Sequence, residues 1–187
     1  MTYSRPLQIL VDEHKVILAV LDALEERASA SRDAEFPQQF FEHACDFLAT
    51  FADRCHHAKE EGQLFPLLAQ RGLPVERGPI ACMLNEHTQG RGHVAAMRAA
   101  LERTAHGDAG ARETVFAEAQ AYVSLLRGHI QKENHVLFVL ADGCLSDEDK
   151  TALCAQFAQA EHASLPPGTH ERCLALAAEL TGAGVPM

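Results

Sequence analysis

The sequence predicts an all-α protein, a bundle of four long antiparallel helices followed by a short helical extension, and three observations carry that prediction. Hydrophobic residues make up 47% of the 187 residues and aromatics only 6%, with no Trp; such an Ala- and Leu-rich mix favours packed helices over strands. Apolar residues recur at spacings of three, four and seven through four long stretches, the stripe of an amphipathic helix. The third observation is a repeat: His-x-x-Lys-Glu-x-x-x-Leu-Phe stands at His56 to Phe65 and again, 73 positions on, at His129 to Phe138. The same offset separates Glu13-His14 from Glu86-His87, so two halves carry His14, His56, Glu60 and then His87, His129, Glu133 in one order. An internal duplication accounts for the match.

Helix one is expected from Leu7 to about Arg27, on the stripe Leu10, Ile17, Leu18, Leu21 and Leu24, with His14 on the same face. The linker SASRDAEFP ends it, and Pro37 stands where a first helical turn tolerates proline. Helix two runs from there to near Gln70; Gly62 weakens it and Pro66, lacking a backbone donor, can kink it. Gly72, Leu73 and Pro74 close the first half. Helix three begins near Gly78-Pro79, and its Gly90 and Gly92 predict a distortion just after His87. AHGDAGA at 105 to 111 is a turn, and helix four follows from about Arg112 to Ala141 on Val115, Ala119, Tyr122, Leu126, Leu137 and Leu140. Ser146 with three acids behind it reads as a helix start, the acids complementing the helix dipole. Two short helices, about 147 to 162 and 170 to 181, are separated by Leu165-Pro166-Pro167-Gly168. The chain thus divides into a bundle at 7 to 141 and a helical extension at 146 to 187 whose role is not legible.

The formal net charge of -10 argues against nucleic acid or an anionic membrane surface as main partner. No apolar run approaches the roughly 20 residues a bilayer requires, and MTYSRPLQIL lacks the apolar core of a signal peptide. A soluble, cytoplasmic protein is expected. The six Cys contain no CxxC pair and are scattered over helical segments, so reduced thiols are expected, with Cys55 notable for its place beside His56.

Residues four apart on a helix differ by about 40° in rotation and about 6 Å in height, so the His and Glu of each HxxxE project from one face. Taken singly, HxxxE is an ordinary hydrogen-bonding pair on a solvated surface; taken as a duplicated set on apolar faces, it demands another account. Six buried polar groups without partners would cost several kcal/mol for each ionised one, and a dinuclear metal centre in the bundle core would satisfy them together. His57 and Glu61 form a second HxxxE, rotated by about 100° from the first. The repeat selects His56 and Glu60, leaving His57 as an additional ligand candidate and Glu61 as a weaker one. Glu13 and Glu86 are placed better to orient ligand imidazoles than to bind metal. His43, His93, His106, His135, His162 and His170 have no matched partner.

At DEH 12 to 14, HHAKEExxLFP 56 to 66, NEH 85 to 87 and HIQKENxxLF 129 to 138, the chain resembles the hemerythrin-like, or HHE cation-binding, family. The resemblance implies a four-helix up-and-down bundle holding a non-haem di-iron centre, two iron ions bridged by carboxylates and an oxo or hydroxo group. His14, His56, Glu60, His87, His129 and Glu133 would be the ligands, with Glu60 and Glu133 bridging. The oxygen carriers of that family have a further His one turn after the position of His87, where this chain has Arg91, and their last carboxylate falls five residues after its His rather than four. These departures point away from oxygen transport and toward sensing, iron handling or redox chemistry. The donor set favours iron over zinc, with manganese also compatible.

Three functions follow as expectations. The first is a di-iron protein binding oxygen, nitric oxide or a related small ligand. The second is a di-iron oxidase or peroxidase acting on hydrogen peroxide or oxygen; Tyr122, two turns before His129 along one face, is the extra group that could approach the site, though it reads first as a structural core tyrosine. The third is a metal-stapled interaction module using the extension. The oligomeric state stays open.

Overall fold

The computed structural model describes residues 3–29, 35–108, 110–164 and 166–182. Residues 30–34 of the first linker, Ala109, Leu165 and the side chain of His162 lie outside that description. Six helical rods follow one another: α1 (Arg5–Ser29), α2 (38–70), α3 (Gly78–Ala105), α4 (111–144), α5 (Asp147–Ser164) and α6 (Thr169–Thr181). Among the described residues there is no strand, and no helix is long and apolar enough to cross a membrane.

The first four rods form an up-and-down bundle in which α1 packs on α2 and α4, and α3 on the same two. Cross-helix bonds show the antiparallel sense. Gln38 reaches the Leu101 carbonyl while Arg91 reaches Asp53, and His93 pairs with Glu118 while His87 meets His129.

Helices α2 and α4 are not α-helical throughout. Wider π-type turns occupy Leu48–His57 and Glu60–Leu64 in α2, and Glu133–Leu137 in α4. The last two lie 73 residues apart and each begins at a predicted ligand carboxylate. Pro66 follows the first, but its counterpart is Val139, and Gly62 has His135 opposite it. Proline and glycine therefore do not cause the widening; it belongs to the repeat and is typical of helices re-aiming side chains at a site. Helix α3 corrects the expectation of a distortion after His87: it is continuous through Gly90 and Gly92. Gly90 is buried, and a Cβ there would meet Tyr122 at 3.4 Å, so close packing rather than a bend accounts for it.

Two apolar layers divide the interior. One holds Phe41, Phe47, Phe51, Leu21, Leu24 and Val115 with their neighbours, and Cys173, Ala177 and Leu180 of α6 join it. The other holds Leu7, Leu10, Leu64, Phe65, Leu68, Ile80, Met83 and Phe138, and Leu153 and Phe157 of α5 close its end. Helix α5 starts on a reciprocal cap: Ser146 Oγ accepts from the Asp149 amide, and Asp149 accepts from the Ser146 amide. Arg71 at the end of α2 grips the same Asp149 through two bonds, at 2.8 and 2.5 Å. None of the six cysteines is in a disulfide.

Candidate metal centre

Between the two apolar layers lies a band of buried polar side chains. His14 comes from α1, His56 and Glu60 from α2, His87 from α3, and His129 and Glu133 from α4, each no more than 1% exposed. The structure brings all six together. His14 Nε2 stands 3.0 Å from His56 Nε2, and His87 Nε2 3.1 Å from His129 Nε2, so each half supplies one imidazole pair. The carboxylates join the pairs crosswise. Glu60 has Oε1 3.7 Å from His56 of its own half and Oε2 3.5 Å from His87 of the other. Glu133 has Oε1 3.2 Å from His129 and Oε2 3.1 Å from His14.

The outer nitrogens of the four rings settle how the inner ones behave. His56 Nδ1 donates to Glu13 at 2.9 Å, His129 Nδ1 to Glu86 at 3.0 Å, His87 Nδ1 to Glu61 at 2.6 Å and His14 Nδ1 to Asn134 Oδ1 at 2.9 Å. A carboxylate or amide oxygen only accepts, so each Nδ1 carries the hydrogen, and an unprotonated Nε2 on any of these rings aims its lone pair inward. Burial, with His14 alongside, pushes His56 down to about 4, so it is neutral near pH 7. With the rings unprotonated, lone pairs face lone pairs at about 3 Å; at His129 burial opposes a charge while Glu133 and Glu86 pull the ring upward. None of the four oxygens of Glu60 and Glu133 has a hydrogen-bond donor. Burial, together with the charge of Glu133, holds the Glu60 carboxyl well above its ordinary range. Such an arrangement is unfavourable by itself and would be relieved by a cation held between the donors. Two donor groups meet that need, His14, His56, Glu60 and Glu133 on one side and His57, Glu60, His87 and His129 on the other, each set lying within 4.8 Å.

His57 is buried and has its ring stacked on His87 at 3.8 Å between centroids. Neither of its nitrogens makes a hydrogen bond; Asp53 Oδ1 is 3.5 Å from Nδ1. It could thus offer the second donor group a third imidazole, while Ile130 stands in the matching place of the other half. Glu61 turns outward to the back of His87 and takes Arg91 at 2.8 Å. Arg91, which stands where a carrier-type histidine would be, also bonds Asp53 and does not reach the cluster.

Sequence reasoning overlooked the orienting groups beyond Glu13 and Glu86. Lys59 pairs with Glu13 and Lys132 with Glu86, and both acids are held below their ordinary range: burial opposes this, and the bonds to histidine and lysine outweigh it. Lys59 and Lys132, and Glu61 and Asn134, are 73 residues apart, so the repeat itself was the signal. The unmatched histidines sit elsewhere: His43 bonds Glu179, His93 bonds Glu118, and His106 bonds the Glu102 carbonyl.

A helical bundle with a buried cluster of imidazoles and shared carboxylates defines a metal-binding helical protein. The family model described as the hemerythrin HHE cation binding domain matches residues 5–141, and the chain belongs to that family. No curated protein and no solved structure matches the chain.

Proposed function

We propose that the protein is a non-haem di-iron protein that binds oxygen, nitric oxide or a related small ligand, in sensing or in iron and redox handling. The observation that carries this reading is the crossed placement of Glu60 and Glu133, each offering one oxygen to each imidazole pair. That arrangement suits two adjacent cations of a kind that accept mixed nitrogen and oxygen donors. Iron bound there would supply a redox-active centre open to a diatomic or peroxide ligand. The chain's own groups do the rest. Glu13, Glu86, Glu61 and Asn134 keep the four imidazoles in one tautomer, the apolar layers limit water on both sides, and a cavity beside His57 and His87 offers a way in.

Iron content after reconstitution tests the reading. About two irons per chain are expected, one for each donor group. Glu60→Ala should deplete both positions because it faces both, whereas His57→Ala should weaken only the one shared with His87 and His129. Nitric oxide should perturb the spectrum of the loaded protein. A wild-type chain that retains no iron would defeat the proposal.

A further inference from the structure

The two halves match at the metal ligands and differ beside them. A cavity of about 230 Å³ opens next to His57 and His87, between α2, α3 and α4. Its wall includes Gly90, Arg91 and Val94; the residues 73 positions earlier are Ile17, Leu18 and Leu21, and Ile17 and Leu21 are buried in the core. Asp53 and His57 likewise have buried Leu126 and Ile130 as counterparts. Bulky apolar side chains thus fill in one half what stands open in the other, and Gly90 is the main relief.

By the same measure one water molecule needs only about 10–15 Å³, so the space takes more than a diatomic. Leu48, Ala49, Val94 and Ala95 form apolar wall. Tyr122, 3% exposed, lines the same space, and among the described residues no hydrogen bond joins its hydroxyl to another group. Burial pushes that phenol upward, so it stays an O–H donor and seeks an acceptor. The hydroxyl is not sealed inside the protein but opens onto the cavity, where it can donate to an acceptor. Arg91 and Arg98 both line the space, against Asp53 as the one acid. Arg91 spends Nε and Nη2 on Asp53 and Glu61, and Arg98 spends Nη2 on Asp46 and the Cys45 carbonyl. The Nη1 groups remain for a further acceptor.

We propose that this cavity is a binding site for a short-chain organic carboxylate, its alkyl part against Leu48, Ala49 and Val94 and its carboxylate taking the Tyr122 hydroxyl and a guanidinium. The site belongs to the second half alone and places its occupant beside His57. It stands on the cavity and not on the identity of the metal.

Calorimetric titration of the full chain with butyrate, and with butyramide as its uncharged counterpart, tests the proposal; iron content is determined separately, so failure of the metal reading is told apart. Butyrate should bind one per chain, and butyramide at least about tenfold more weakly, as expected when a charged hydrogen bond is lost. Tyr122→Phe, which removes only the hydroxyl, should weaken butyrate by a similar factor, and Gly90→Leu should abolish binding. Equal binding of butyramide, absence of butyrate binding, or unchanged affinity in Tyr122→Phe would overturn it. The last result would place the carboxylate on the metal or on the surface.

Discussion

At Glu13 two partners decide one side chain. It accepts from His56 Nδ1 and from Lys59, and lies almost wholly buried. Glu13→Gln removes the charge that anchors the ring, so iron affinity at the His14 and His56 position should fall about 10–100-fold, with little effect at the second position. Glu86→Gln should give the mirror result, because Glu86 holds His129 and Lys132 in the same way. Competition with a chelator of known affinity reads both. Equal loss at both positions in each variant would mean that the acids do not act ring by ring. These roles were only partly legible beforehand: Glu13 and Glu86 stood next to matched histidines, whereas Asn134 and Glu61 differ in chemistry and share a task visible only through the offset.

At the scale of elements, the extension is part of the bundle's packing. Phe157 of α5 is 1% exposed in the layer that includes Leu10, Phe65 and Phe138, and Ala177 of α6 is fully buried in the other. Phe157→Ala should therefore cost about 3–5 kcal/mol in denaturant unfolding. A loss under about 1 kcal/mol would show that α5 is only loosely attached. The helix starts and ends were legible from Pro37, Ser146 and the Gly72 turn, since caps and breakers act locally. The widened turns at Glu60 and Glu133 were not, because they carry no shared breaker and arise where side chains must converge across helices.

At the scale of the molecule, metal and stability are linked. Ions that bind only the folded chain stabilise it by mass action, so chelation should lower the melting temperature. In the metal-free chain Glu60 is the opposing group. Its carboxyl is raised well above 4.5 by burial and by Glu133, so between 4.5 and the raised value the folded chain holds a proton that the unfolded chain has released. The stability this gives is present below about pH 4.5 and lost as pH rises. Glu60→Gln should therefore stabilise the metal-free protein by about 1–3 kcal/mol at pH 7.5, with the gain shrinking toward pH 4.5, and should destabilise the iron-loaded protein. Urea midpoints at several pH values check both signs; a metal-free Glu60→Gln no more stable than wild type would contradict the account.

The sequence by itself determined the helical class, the order of the helices and the matched donor set, because periodicity, caps and a duplicated His-x-x-x-Glu depend on residues close along the chain or on a copied pattern. Only the tertiary structure decided that each carboxylate crosses to a histidine of the opposite half, that the His57 ring lies against His87, and that Gly90 and Arg91 border a cavity where Ile17 and Leu18 stand in the other half. These depend on how four helices are rotated and spaced against one another. No spacing along a single helix specifies that.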